Sequence, residues 1–367
     1  MAHTLVSCDD HLDLPYVPAD VWQERLPAKL RDAGPRVVDT AEGTFWTWEG
    51  ERKGAFGRKP GLIDSFERAG LVAKPEPGVF RPGSVKYRLQ DMDRDGVAAQ
   101  VVYPPSWSLK FRDTGLTEAC LRAFNDWFLQ DFCGTSGGRL VALPLLPLHS
   151  VEAALEELRH QARAGAKGVL FDPWGGTKPP FDDCWEPLWA LAEEAGILMH
   201  FHISTGLHSL RIRFGSWEMA AGTSVVHMQM DEILSGMVFS GVLERHPKLK
   251  FVLAECSIGW VPYVLEQMDF QQSEWAPLVA ERRLPLKASE YFRRQMFVTF
   301  EKDAIGVRLI PDIGEDNVMW AADYPHGIST FPHSRQTVDA MFAASTPEIK
   351  RKVTCDNAAR LYGIALP

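Results

Sequence analysis

Short apolar runs alternate along the chain with stretches whose apolar residues recur at helical spacing. Within most of these runs the apolar residues are continuous rather than interleaved with polar ones, which is typical of parallel strands buried on both faces. Eight runs predict strands at 4–9, 97–103, 140–146, 168–172, 197–202, 250–255, 296–300 and 317–323.

Amphipathic helices are predicted between these strands. In VEAALEELRHQARAGA the apolar stripe includes Val151, Leu155 and Leu158, and Gly165 follows as a stop signal. Similar patterns occur in LTEACLRAFNDWFLQDF, WEPLWALAEEAGI and IGWVPYVLEQMDF. Repeated strand–helix alternation favours a (β/α)8 TIM barrel in the α/β class, formed by residues 1–367 as one domain. A doubly wound sheet is the alternative, but it would be expected to carry a glycine-rich phosphate loop after its first strand, and the sequence has none.

Residues 14 to about 90 interrupt this alternation with a segment rich in proline, glycine and aromatic residues. The segment is too long for an ordinary loop between a strand and a helix. We interpret it as a long insertion after the first strand that acts as a lid or substrate wall. The alternative is a surface extension that supports folding or a dimer contact.

Composition excludes several classes of function. The net charge is -9 and no run of five basic residues occurs, so nucleic acid is not an expected partner. No stretch of about 18 apolar residues could span a membrane, and the start of the sequence lacks the features of a signal peptide. The six cysteines form no C-x-x-C pair, which favours reduced thiols and a cytoplasmic location.

Ionisable residues stand at the ends of four predicted strands. They are Asp9, Asp10, His11, His200, His202, Glu255 and Asp323. Each residue alone is explained by a turn, a helix cap or a hydrogen-bonded core position. Together they indicate a divalent cation, because burying several charges without a partner costs several kcal/mol each and because Asp, Glu and His are common metal ligands.

The spacing of these residues separates ligands from neighbours. Asp9 and His11 are two apart in an extended segment, so both side chains can reach one ion while Asp10 points away and pairs elsewhere. His200 and His202 also share a face. His202 lies nearer the strand end and is the favoured ligand, with His200 a supporting group deeper in the barrel.

Several stretches resemble one known family. They are VSCDDHLDLP, LQDMDRDGVAAQVVYPP, FNDWFLQDF, MHFHISTG, FSGVLERHPKLKFVLAECSIGWVPYVLEQMD, MWAADYPH and CDNAARLYGI. The sequence is similar to the amidohydrolase-related enzymes that include the aminocarboxymuconate-semialdehyde, resorcylate and carboxyvanillate decarboxylases. The resemblance runs from the first strand to the C-terminus. It implies a (β/α)8 barrel, one catalytic divalent metal, and hydrolysis or non-oxidative decarboxylation of small, often aromatic, carboxylates.

The resemblance implies that the metal ligands of the family correspond to Asp9, His11, His202 and Asp323 in this sequence. The wider superfamily more often has His-x-His at the first strand. Asp-x-His here adds negative charge, which favours manganese or iron alongside zinc. The named decarboxylases have a histidine where this chain has Glu255. The glutamate could act in proton transfer, ligate the metal or hold a second metal.

The first functional hypothesis is hydrolysis of a small, carboxylate-bearing substrate by a water molecule that the cation activates. Asp323 would bind the metal and accept a proton, and Glu255 would hydrogen-bond the water or protonate the leaving group. Non-oxidative decarboxylation by the same residues is the alternative. A further alternative is a dinuclear iron redox subunit or a structural partner on the same fold, and a non-catalytic binding protein would have an empty site.

Three residues are candidates for substrate binding. Arg211 and Arg213 follow His202 and could bind a substrate carboxylate, although solvent-facing positions explain them equally well. His326, three residues after Asp323, is expected to line the pocket. We expect His227 to pack in the core or in an interface. The resemblance also implies a homo-oligomer such as a dimer, with a hetero-oligomer containing a paralogue as the alternative.

Overall fold

The computed structural model describes residues 4–59, 63–176, 178–204, 210, 215–275 and 284–366. Within these ranges the strands are β1 (Leu5–His11), β2 (Arg36–Thr40), β3 (Gly43–Trp48), β4 (Glu51–Ala55), β5 (Val97–Tyr103), β6 (Leu140–Ala142), β7 (Gly168–Leu170), β8 (Leu198–His202), β9 (Phe251–Ala254), β10 (Met296–Phe300) and β11 (Val318–Trp320).

The α-helices of the described residues lie mostly between consecutive parallel strands. They are α1 (Val21–Arg25), α2 (Ala28–Arg31), α3 (Ser65–Arg68), α4 (Val85–Asp95), α5 (Thr114–Asp126), α6 (Val151–Arg163), α7 (Glu186–Ala195), α8 (Trp217–Val225), α9 (Met230–Phe239), α10 (Val242–Arg245), α11 (Val261–Trp275), α12 (Ala288–Gln295), α13 (Ala304–Ile313), α14 (Ser334–Met341), α15 (Pro347–Arg351) and α16 (Asn357–Tyr362). Short 3-10 turns cover Leu14–Tyr16, Asp183–Trp185 and Val226–Gln229, and π-helical turns cover Trp127–Cys133 and Lys352–Asp356.

All eight predicted strands are present, and each pairs in parallel with its neighbours. One sheet has the order β1-β5-β6, and the other has the order β11-β10-β9-β8-β7. A parallel bridge between Leu145 and Leu170 joins the sheets beyond β6. At the other edge, the Asp323 amide donates to the Asp9 carbonyl at 2.8 Å and the His11 amide donates to the Tyr324 carbonyl at 2.6 Å. Each sheet therefore contacts the other at both edges.

Burial on both faces explains why the strand runs are continuously apolar. Every residue of β8, β9, β10 and β11 is buried. The helices cover these strands through one apolar stripe each, and in α6 that stripe includes the buried residues Ala154 and Leu158. Burial of a leucine side chain such as Leu158 stabilises the fold by about 1.5–3 kcal/mol. No helix among the described residues is long and apolar enough to cross a membrane.

The segment between β1 and β5 contains its own antiparallel sheet, with the order β2-β3-β4. The sheet is attached through aromatic side chains, because Trp46 and Trp48 of β3 are buried in the main core. The Trp46 indole donates to the Leu14 carbonyl at 2.9 Å. Arg88 of α4 is also buried and donates to the His11 carbonyl at 2.8 Å. The segment therefore packs against the first strand close to its functional end.

Candidate metal centre

Strand β1 supplies two side chains to a buried cluster of carboxylates and imidazoles. The register of β1 against β5 shifts between Ser7 and Asp10, so the strand is irregular where the ionisable residues occur. Asp9 and His11 are both buried, and the Asp9 Oδ1 and His11 Nε2 atoms are 3.2 Å apart. The two residues reach one site, as their spacing predicts.

Asp10 lies outside this cluster. Its Oδ1 atom accepts a hydrogen bond from the Tyr324 amide at 2.9 Å. Burial raises the pKa of the Asp10 carboxyl to about 8, against the lowering effect of the Arg88 guanidinium. Asp10 therefore acts as a local structural partner, which agrees with the expectation that it pairs elsewhere.

The two histidines of β8 have different environments. His202 Nε2 lies 3.6 Å from Asp9 Oδ1, and its Nδ1 donates to the Ile203 carbonyl at 2.7 Å. This hydrogen bond leaves the Nε2 lone pair available to a cation. His200 instead contacts the Tyr103 hydroxyl through Nδ1 at 2.8 Å, and burial lowers its pKa to about 3.

Glu255 follows β9 directly and enters the same cluster. Its Oε2 atom lies 3.0 Å from His202 Nε2 and 3.9 Å from His11 Nε2. The residue has a left-handed backbone with φ of 51°, and its amide donates to Thr299 Oγ1 at 2.9 Å. The Glu255 carboxylate therefore lies among the candidate metal ligands.

Asp323 completes the cluster after β11, also with a left-handed backbone, at φ of 58°. Its Oδ1 atom lies 3.3 Å from His11 Nε2 and 2.8 Å from His326 Nδ1. The His326 ring stacks on the His11 ring at 4.1 Å, so His326 lies beside the metal centre. Burial disfavours the His326 imidazolium, but the Asp323 and Asp13 carboxylates raise its pKa to about 10.

The buried donor atoms of this cluster fit a divalent cation. Atoms without a hydrogen-bond partner include both carboxylate oxygens of Asp9 and Asp323, Nε2 of His11 and of His202, and Oε2 of Glu255. One group with donor atoms all within 4.8 Å of one another consists of Asp9, His11, His202 and Glu255, and a second consists of His11, Glu255, Asp323 and His326. Buried polar atoms are normally paired, so their convergence without partners is the expected feature of a metal-binding site.

Electrostatics within the cluster favour a charged Asp9 and a protonated His202. Burial opposes ionisation, but the imidazoles of His202 and His11 lower the pKa of Asp9. Although burial disfavours a charged His202, the carboxylates of Asp9 and Glu255 raise its pKa well above the usual value. A bound cation would replace these protons, since metal ligands must be deprotonated.

Glu301 is a buried carboxylate that sequence reasoning missed. It follows β10 directly, and its Oε1 atom has no hydrogen-bond partner. Burial raises its pKa well above the usual value, and the charges of Glu255, Asp323 and Asp9 raise it further. The signal was available, because Glu301 follows an apolar run just as Glu255 does.

His227 and Lys59 approach the cluster from neighbouring segments. His227 was expected in the core or in an interface, but it is half-buried and its Nδ1 donates to the Glu255 carbonyl at 2.8 Å. Lys59 lies in the segment after β4 and pairs with Asp13 Oδ2 at 2.5 Å. Asp13 Oδ2 is 3.4 Å from His326 Nε2, so Lys59 is connected with the centre through Asp13. Arg211 and Arg213 lie outside the described residues.

A family model described as amidohydrolase matches residues 78–364. Gamma-resorcylate decarboxylase of Rhizobium sp. (strain MTP-10005) is 25% identical over 298 residues, which cover 75% of this chain and 86% of that enzyme.

Two solved structures share the fold. An amidohydrolase of Mycobacterium avium subsp. paratuberculosis K-10 has a TM-score of 0.74 and 22% identity, with 100% of this chain and 99% of that chain covered. The 5-carboxyvanillate decarboxylase of Novosphingobium aromaticivorans DSM 12444, solved with bound manganese, has a TM-score of 0.69 and 17% identity, with coverage of 99% and 97%. Since the family model spans most of the sequence and includes His202, Glu255 and Asp323, the chain belongs to the amidohydrolase family.

Proposed function

We propose that the protein is a metal-dependent decarboxylase that removes CO2, without oxidation, from a small hydroxyaromatic carboxylate. The observation that carries the proposal is the convergence of buried, unpaired donor atoms from Asp9, His11, His202, Glu255 and Asp323. The decarboxylases among its relatives add support, and they favour this reaction over the hydrolysis that was the first expectation from the sequence.

We also infer that the eight parallel strands close into a (β/α)8 barrel. Parallel pairing within each sheet, the bridge beyond β6 and the hydrogen bonds between the ends of β1 and β11 support a cyclic strand order. In such barrels the carboxyl ends of the strands carry the active site. Asp9, His202, Glu255 and Asp323 all lie at those ends.

The residues of the candidate centre have two proposed roles. Some would bind the cation, and others would orient the side chains that bind it. Asp9, His11, His202 and Asp323 would hold one divalent ion, and manganese, iron or zinc suits this set of oxygen and nitrogen donors. When bound, the ion would act as a Lewis acid toward the substrate carboxylate and a neighbouring oxygen. The His326 Nδ1 atom lies 2.8 Å from Asp323 Oδ1, so His326 is placed to orient that ligand.

Glu255 is the proposed proton donor. Loss of CO2 breaks the bond between the ring carbon and the carboxylate carbon, and that bonding electron pair must take up a proton at the ring carbon. Glu255 lies beside His202, and its backbone is fixed by Thr299 and His227. A carboxyl group in its protonated form could deliver the proton and recover it from water.

Product analysis tests the proposal directly. The manganese-loaded protein should convert 2,6-dihydroxybenzoate or a related hydroxybenzoate into the corresponding phenol, with one CO2 released per phenol formed. The metal-stripped protein is the control, and it should release no CO2 until manganese is restored. Loaded protein that leaves a panel of hydroxybenzoates and carboxyvanillate unchanged would refute the assignment.

Hydrolysis remains the second candidate, because Glu255 puts an additional carboxylate beside His202. In that reaction Asp323 would accept a proton from water and Glu255 would protonate the leaving group. Ester and amide derivatives of the same aromatic acids distinguish the two reactions. A hydrolase would release the alcohol or amine and leave the carboxylate on the product, whereas a decarboxylase would release CO2.

The additional carboxylates also motivate the proposal of a second metal. Glu255 belongs to both groups of convergent donors, and Glu301 adds a further buried carboxylate nearby. Metal analysis of the protein separates the alternatives. One ion per chain fits decarboxylation or hydrolysis, whereas two irons per chain would support the dinuclear redox alternative.

A further inference from the structure

Trp107 is an exposed aromatic residue beside the candidate metal centre. It lies in the segment after β5, and 44% of its surface is exposed. Its ring centroid is 6.4 Å from that of His202, which is the only aromatic ring within stacking range of Trp107 among the described residues. Its exposure beside His202, rather than exposure alone, makes the ring a candidate contact for a ligand at the centre, because an indole offers a large apolar face.

The segment that carries Trp107 is held in place on both sides of the indole. Ser106 and Leu109 are buried, and the Leu109 amide donates to the Pro105 carbonyl at 3.2 Å. The Trp48 indole, from strand β3, donates to the Lys110 carbonyl at 3.0 Å. Trp107 is therefore presented on a supported turn rather than on an unsupported loop.

Other aromatic residues near the centre are already engaged. The Tyr103 ring lies 5.1 Å from the His202 ring, and its hydroxyl contacts His200 Nδ1 at 2.8 Å. Trp174 is half-buried, and its indole donates to the His202 carbonyl at 3.1 Å. Both residues thus support His202, whereas the face of Trp107 is available.

We propose that Trp107 stacks against the planar ring of the substrate and so selects aromatic over aliphatic carboxylates. This inference rests on the proposed function, since the substrate carboxylate must lie at the metal centre for its ring to reach Trp107. An offset or edge-on aromatic contact adds to affinity beyond the apolar area that it buries. The same contact holds the ring while the carboxylate is oriented at the cation.

Paired ligands separate ring binding from metal binding. 2,6-Dihydroxybenzoate offers a carboxylate and a ring, whereas oxalate offers carboxylates without a ring. Binding of each to the manganese-loaded protein is measured by calorimetry at a fixed free manganese concentration, for the wild type, Trp107→Ala and Trp107→Phe. Trp275→Ala is the matched control, because Trp275 is 56% exposed on α11 and donates to Gln271 Oε1 within that helix.

Trp107→Ala should weaken 2,6-dihydroxybenzoate binding roughly tenfold while changing oxalate binding by less than about twofold. Trp107→Phe should retain most of the affinity for the aromatic ligand, and Trp275→Ala should bind both ligands as the wild type does. If the alanine variant fails to fold, the affinity of Trp107→Phe for the aromatic ligand is compared with that of the wild type instead. The two affinities should agree within about threefold.

Three outcomes would overturn the inference. They are equal loss of both ligands in a Trp107 variant, unchanged binding of the aromatic ligand by Trp107→Ala, and a wild type that binds oxalate but no aromatic carboxylate. Turnover is not part of the measurement. A protein that binds the ring through Trp107 but releases no CO2 would therefore contradict the proposed reaction and leave this inference standing.

Discussion

At the scale of single residues, the spacing of ionisable side chains predicts much of the candidate site. Asp9 and His11, two apart in the sequence, reach one cluster, and His202 joins it while His200 does not. The approach of His227 to the Glu255 carbonyl could not be predicted, because it depends on how a helical turn far along the chain packs over β9.

His202 should be required for metal retention. Replacing His202 by alanine removes the Nε2 donor that lies near Asp9 and Glu255, and the loss of one of about four ligands should abolish stable binding. Metal content after dialysis, measured by mass spectrometry, is expected to fall from about one ion per chain to near zero.

His149→Ala is the matched control for this experiment. His149 pairs with Glu118 at 3.0 Å, and neither residue belongs to the convergent groups of donors. This variant should keep its metal. Full occupancy in His202→Ala would remove His202 from the set of ligands.

Glu255→Gln should slow turnover far more than it affects folding. The amide keeps the size of the side chain but cannot donate a carboxyl proton, so kcat should fall about 10²–10⁴-fold if Glu255 is the acid. Steady-state kinetics of CO2 release, together with a thermal unfolding curve, measures both effects. An unaltered kcat would leave Glu255 with a structural role only.

At the scale of elements, prediction is best where burial imposes one pattern. The eight parallel strands are apolar throughout because both of their faces are covered, and all eight are visible in the sequence. The strands of the antiparallel sheet β2-β3-β4 are not visible in the sequence. Most of β2 is exposed, and β3 is attached mainly through Trp46 and Trp48, so the sheet has neither a continuous apolar run nor strict alternation. The proposal that this segment forms a lid or substrate wall stays a prediction.

Two helices meet through a buried carboxylate whose titration should affect stability. Asp95 ends α4, and its Oδ1 accepts from the Ser334 amide at the start of α14 at 2.9 Å. Burial raises the pKa of Asp95 to about 6, although hydrogen bonds from Ser334 lower it. The folded protein therefore binds this proton more tightly than the unfolded chain, whose value is about 3.9. The stabilisation that the bound proton of Asp95 gives the folded state is therefore complete below about pH 4, and it is lost as the pH rises through 6.

Asp95→Asn should remove this pH dependence. Relative to the wild type, the free energy of unfolding of the variant should rise by up to about 3 kcal/mol between pH 4 and pH 7. Urea unfolding at several pH values measures the difference in the free energy of unfolding between the variant and the wild type. Asp93→Asn, at an exposed position on the same helix where Asp93 pairs with Arg139 at 2.8 Å, is the control for loss of a carboxylate from α4. A difference between Asp95→Asn and the wild type that does not change with pH would contradict the assignment.

At the scale of the whole molecule, the candidate metal centre connects distant parts of the sequence. Its residues come from β1, β8 and the segments after β9 and β11, so a cation bound there holds these elements together. The centre contains the buried carboxylates of Asp9, Glu255 and Asp323, whose negative charge a cation would offset. The folded state should therefore be stabilised by metal through mass action.

Removal of the metal should lower the melting temperature, and manganese should restore it. At a free metal concentration 100 times the Kd, binding contributes about 2.7 kcal/mol to the free energy of unfolding. Thermal unfolding with and without a chelator measures the shift. The His202→Ala variant should respond little to either treatment, and a response equal to that of the wild type would argue that the metal stabilises the protein at another position.

Glu255 and Asp323 both have a left-handed backbone conformation, which lowers the stability of the fold while it places their carboxylates at the candidate centre. Residues with a side chain resist this conformation at a cost of order 1–3 kcal/mol, whereas glycine adopts it freely. A glycine at either position would relax the backbone, and at Asp323 it would also remove the contacts with the imidazoles of His11 and His326. Each carboxylate therefore reaches the candidate centre only from a backbone conformation that disfavours residues with a side chain.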